Sequence, residues 1–231
     1  EFKENDRERA GGDPAGYGEG GQDEESGWVS MGLEKGGRHN LRADREVKGL
    51  RSRMLYLGCD FDIDPMYPWA RLPVFPEKDH SEENPESWIY LQKVYATFYD
   101  YYHDIAGDDH RHLVAALERF QALNFHQLQF MRSDYELLNT LAFIYPERYA
   151  AVPESAWPDI LLIAEEKARR LQLDPVAGKA MMTGLMFFCG VSVDYDPVYA
   201  RLFEGLDQLE PYTLQREYVM FQRIKESLRR F

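Results

Sequence analysis

The chain has 231 residues, of which 44% are hydrophobic and 29% charged, enough apolar material for one globular domain or two small ones. Its 27 Lys plus Arg against 40 Asp plus Glu leave a net charge of −13, which argues against binding nucleic acid by release of phosphate counterions and against an anionic membrane as partner. No apolar run approaches the roughly 20 residues of a spanning helix, and Cys59 and Cys189 are too few for a disulfide framework or structural zinc site, so no membrane insertion and a cytoplasmic location are expected.

Residues 1–27 carry 7 of the 17 glycines and 9 acids against 3 bases; such a segment buries too little surface to order itself and is expected to be disordered. Residues 28–53 reverse the sign, with 7 bases against 3 acids. Helical spacing then dominates. Val47, Leu50, Met54 and Leu57 share one face of a helix ending at Gly58. Trp88, Leu91, Tyr95, Phe98, Tyr102 and Ile105 form the longest amphipathic stripe, stopped by Gly107. Asp108 or Asp109 is expected to cap the next helix. Ser133 to Glu136 has the capping-box pattern before Leu137, and Pro146 closes that element. Pro158 suits the first turn of a helix to about Leu171. Asp174-Pro175 reads as the start of another, ending at Gly190, and Thr213 opens the last, with Tyr218, Phe221 and Ile224 facing inward. Period-two alternation and hairpin turns are lacking, so the fold class is all-α, a helical bundle.

The chain also matches itself at an offset of 132. Residues 54–67 align without a gap on 186–199, with identities Met54/Met186, Gly58/Gly190, Asp62/Asp194, Asp64/Asp196, Pro65/Pro197 and Tyr67/Tyr199; Glu34/Glu166, Lys35/Lys167, Arg38/Arg170 and Leu41/Leu173 match at the same offset. This pattern predicts two divergent repeats, about 28–105 and 156–231, joined by connecting helices over 108–150. In each, glycine ends a helix, Asp62 and Asp64 (or Asp194 and Asp196) accept backbone N–H bonds in the turn, proline sets the first φ of the next helix, and Tyr67 or Tyr199 packs back. The copies diverge at Pro68-Trp69 against Ala200-Arg201, where a specialised surface is expected.

The runs Ala43 to Val47, Met54 to Gly58 and Phe61 to Ala70 (Phe-Asp-Ile-Asp-Pro-Met-Tyr-Pro-Trp-Ala) resemble the helical region found after the globular head of type VI secretion adaptor chaperones, and small accessory proteins encoded near secretion spikes. The resemblance spans about residues 28–105, with a weaker second copy over 156–208. It implies a bacterial, cytoplasmic, non-enzymatic module without cofactors, which holds a secreted effector or spike protein as adaptor or co-chaperone. An immunity protein that neutralises a toxin, its acids plugging a basic site, is the rival within the same class. Pro68, Trp69, Tyr99 and Tyr101 are the expected partner-binding residues, because aromatics concentrate in interface cores.

Two clusters invite chemistry. Asp60-Phe61-Asp62 after an apolar run is similar to the first motif of haloacid-dehalogenase phosphatases, which would make Asp60 the nucleophile, Asp62 the general acid and magnesium the metal. Pro65 and the lack of a βαβ pattern favour turn capping instead, and the second copy replaces Asp60 with Ser192. His103, His110 and His112 with Asp104, Asp108 and Asp109 have a density that suits a metal, but His110 and His112 are two residues apart and diverge on a helix, so capping is the reading here as well and no metal site is expected.

Overall fold

The computed structural model describes residues 21–41, 43–76 and 85–228. Among these the fold is all-α, with eleven α-helices and no strand; no helix is long and apolar enough to cross a membrane. The first, α1 (Gly21–Arg38), lies against α2 (Asp44–Leu57). Residues 21–27, expected to be disordered, therefore belong to a helix; residues 1–20 lie outside the described residues. Gly32 and Gly36, further along α1, are contact points. A Cβ on Gly32 would sit 2.6 Å from Cγ of Arg51, so its absence lets α1 and α2 close; one on Gly36 would sit 2.7 Å from the carbonyl oxygen of Leu41, so its absence lets the chain turn back at the end of α1. Helix propensity lost at glycine is offset by this packing.

Helix α3 (Pro85–Ala106) packs on α2 and is the long amphipathic element, burying Leu91, Val94, Phe98 and Ile105. A left-handed pair, Asp109 (φ 51°) and His110 (φ 59°), then leads into α4 (Arg111–Ala122). Neither Asp108 nor Asp109 caps α4, because its N-cap position falls on His110, which makes no side-chain cap bond. Helix α5 (Phe125–Gln129) is capped by Asn124, and α6 (Asp134–Ile144) by Ser133, whose Oγ accepts from Glu136 N at 3.2 Å. Pro146 opens α7 (Pro146–Ala151).

The second half runs through α8 (Trp157–Arg170), α9 (Ala177–Cys189), the single turn α10 (Ala200–Phe203) and α11 (Leu214–Leu228). Asp174 Oδ1 accepts from Val176 N and Ala177 N, both at 2.9 Å, and so opens α9. Phe221 is buried and Ile224 half-buried, whereas Tyr218 is half in solvent, its ring edge against Phe125 at 5.3 Å.

Helices α1, α2 and α3 pack in sequence as do α8, α9 and α11. At the offset of 132, the ends of α1 and α8 share a left-handed residue, Asn40 (φ 58°) and Gln172 (φ 55°), and the bonds Leu41 N to Gly36 O and Leu173 N to Ala168 O, which close each helix end. Leu41 and Leu173 are both buried beneath these turns.

Candidate functional site

The two glycine turns face each other in the centre of the molecule. Gly58 (φ 92°) ends α2 with its N–H on Met54 O at 3.0 Å; Gly190 (φ 91°) ends α9 with its N–H on Met186 O at 2.8 Å. A Cβ on Gly58 would lie 3.7 Å from Gly190 Cα, and one on Gly190 would lie 3.6 Å from Gly58 Cα. Both glycines hold a positive φ that L side chains avoid, at a point where two backbones touch.

Asp64 and Asp196 cross-brace this contact. Asp64 Oδ1 accepts from Met66 N in its own turn and Oδ2 from Val191 N in the opposite turn, both at 2.9 Å. Asp196 Oδ1 accepts from Val198 N at 3.0 Å, and its Oδ2 accepts from Cys59 N at 3.2 Å. The capping expectation holds for these two residues and widens: each carboxylate serves one N–H at home and one across the junction. Asp60 N also donates to Ser192 Oγ at 3.4 Å, and Tyr195 O–H donates to Asp60 Oδ2.

Asp62 and Asp194 do something else. Rather than capping the turn, Asp62 is paired with Lys35, and His39 Nε2 lies 3.2 Å from its Oδ2. Asp194 takes Lys167 Nζ at 2.5 Å together with Arg170. The reason is placement: both carboxylates point back to the last turn of α1 or α8, where a lysine 27 residues earlier waits in each case. Burial, and then the neighbouring Arg170, push the Lys167 ammonium down to about 8.

The prolines also differ from expectation. No full helix follows them. Pro197 starts a 3-10 turn that leads into α10, while Pro65 sits in a turn and the first 3-10 helix begins at Pro68. Pro68 steers Tyr67 away from helical backbone (φ −123°, ψ 58°).

Tyr67 and Tyr199 do pack back. Tyr67 is fully buried, its hydroxyl accepting from Arg148 Nη2 at 2.5 Å, with Trp69 and Tyr101 ring centroids at 5.8 and 5.7 Å. Burial raises its hydroxyl well above the ordinary tyrosine range, and does the same to the half-buried Tyr199. Pro68 is exposed and Trp69 half-buried. Tyr101 is not the exposed anchor expected, since it is half-buried with its ring 5.7 Å from Trp69. Tyr99, 61% exposed, lies roughly 200° around α3 from Tyr101, so Pro68, Trp69 and Tyr101 come together and Tyr99 stands apart beside Tyr95.

Burial pushes the Asp64 carboxyl up to about 6 against the opposing pull of its two backbone N–H donors and Arg148. Between its unfolded value near 4 and about 6 the folded chain therefore holds the proton more tightly. This group's contribution to stability is fully present below pH 4 and is lost as pH rises through 6. Urea unfolding of parent and Asp64→Asn at pH 4.5 and 7 should show the parent's stability relative to the variant falling by about 2 kcal/mol; a difference that stayed flat or rose would refute this placement of the proton.

The histidine cluster disperses. His103 Nε2 faces Asp108 at 3.6 Å, His112 Nε2 faces Glu147 at 3.9 Å, and the His110 ring meets Tyr102 edge to face at 5.9 Å; among the described residues no three metal-ligand side chains gather. No family model, curated protein or solved structure matches the chain.

Proposed function

We propose that the chain is built from two copies of one helical unit and works by binding another protein, as an adaptor or co-chaperone for a type VI secretion effector or spike protein. One observation carries the non-catalytic part: the aspartates of the motif are already engaged, Asp64 and Asp196 by four backbone N–H groups, Asp62 and Asp194 by lysines. Asp60, the nucleophile of the phosphatase reading, holds the Tyr195 hydroxyl on one oxygen and Lys35 at 3.4 Å on the other, and its side chain is 17% exposed, which fits a structural brace at the edge of the junction. The copies differ at exposed Pro68 and half-buried Trp69, which replace Ala200 and Arg201, and this supports a partner surface there. The immunity reading draws on the excess of acid, which suits a basic toxin site.

Affinity purification of the tagged chain from a bacterium expressing its genomic neighbours tests both. Recovery of an effector together with a spike protein supports the adaptor, and recovery of a lone toxin domain supports immunity. Tyr99→Ala and Trp69→Ala would locate the surface. Magnesium-dependent hydrolysis of a generic phosphate ester that disappears in Asp60→Ala would overturn the binding reading altogether.

A further inference from the structure

Residues 71–76 form an irregular strap that leaves the short turn at Pro68–Ala70 and is held to the end of α1 and to α3. Phe75, its one buried residue, meets Tyr90 of α3 edge to face at 5.9 Å. Phe75 N donates to His39 O at 3.2 Å, Phe75 O accepts from Asn40 Nδ2 at 2.7 Å, and Tyr90 O–H donates to Arg71 O. The remaining tie is the imidazole of His39, whose Nδ1 lies 3.1 Å from Pro73 O in the strap while Nε2 lies 3.2 Å from Asp62 Oδ2.

A carbonyl, and a carboxylate paired with Lys35, can only accept. The ring therefore satisfies both at once only with a proton on each nitrogen; a neutral ring turns a lone pair toward one of them, and that bond is lost. The charges around the ring come from two elements. Asp62 belongs to the turn after α2, and Lys35, one turn back on α1, is shared between Asp62 and Asp60, the latter at 3.4 Å. Arg38 turns away to Glu34 in solvent. The second copy lacks the device: Leu171 stands at the offset of His39, and Arg170, whose charge is permanent, takes Asp194 instead. We propose that His39 is a proton-operated latch, which holds the 71–76 strap on α1 while its ring carries both protons and slackens it when one is lost.

Amide exchange of the full chain from pH 5 to 8, corrected for the intrinsic rate, decides it, with the His39 ring followed by NMR in the same buffers. The Phe75 N–H reports on the strap, because its acceptor is His39 O. It is expected to lose about fivefold in protection as pH rises, with a midpoint that coincides with the titration of the His39 ring. In His39→Gln, whose side chain does not titrate, protection at Phe75 should be the same at both ends of the range. Asp64→Asn removes the carboxyl that burial pushes up to about 6, and should leave the parent's loss in place. Protection at Phe75 that stays level in the parent, a loss that persists in His39→Gln, or a loss that disappears in Asp64→Asn would overturn the latch.

Discussion

Asp64→Ala should lower the unfolding free energy by about 2–3 kcal/mol, because it strands two buried N–H groups, each costing about 1–3 kcal/mol, while relief of the carboxylate's own burial offsets part of the loss. Asp196→Ala should cost a similar amount, slightly less because its bond across the junction is longer, 3.2 Å against 2.9 Å. The pair should be non-additive: each carboxylate holds the two turns at the distance the other needs, so the double variant should cost less than the sum by about 1 kcal/mol. Asp60→Ala is the control. Its carboxylate is at the edge of the junction, 17% exposed, and holds the Tyr195 hydroxyl and Lys35 at 3.4 Å but no backbone N–H, so about 1 kcal/mol is expected. Urea titrations of the parent and the four variants measure all of this. A loss at Asp64 no larger than at Asp60 would remove the junction from its place at the centre of the fold.

Helix ends were open to sequence reasoning wherever one residue type performs one local task. Ser133 before Glu136, Asp174 before Pro175, and Gly58 and Gly190 after apolar runs each satisfy or release backbone groups within a turn, and the structure places helix boundaries there. What a carboxylate meets at long range was not open in this way. Asp62 and Asp64 are both acids in one turn, and only the fold decides that one reaches Lys35 and the other reaches Val191 N. A signal for the first existed: Lys35/Lys167 and Asp62/Asp194 recur together at the same offset, as a conserved spacing of partners would. No comparable signal told that the two turns touch, since an internal match reports likeness and not contact. Arg148, which anchors Tyr67 from α7, has no sequence signature either. The start of α1 was not open to composition either: the acids and glycines of residues 1–27 count against a helix in isolation, yet Gly27 lies against Pro197, a contact at long range that composition does not report.

The glycines carry the sharpest expected ranking. Gly190→Ala should be the most damaging, by about 3–4 kcal/mol, because its backbone (φ 91°, ψ 164°) lies where side chains are strained and its Cβ would sit 2.7 Å from the carbonyl oxygen of Leu57, a backbone atom that cannot turn aside. Gly58→Ala meets the same strain, but its nearest contacts are 3.1 Å, to Cys189 O and to the movable hydroxyl of Ser192, so about 2 kcal/mol is expected. Gly184→Ala should go the other way and stabilise by about 0.5–1 kcal/mol, since it sits inside α9 with ordinary helical backbone and open space around it. Three single variants, compared by chemical unfolding at one pH, test the ranking. Equal losses at Gly58 and Gly190 would mean that φ strain alone sets the cost and that the two turns are not held in contact. A loss at Gly184 would mean that this face of α9 is packed rather than open.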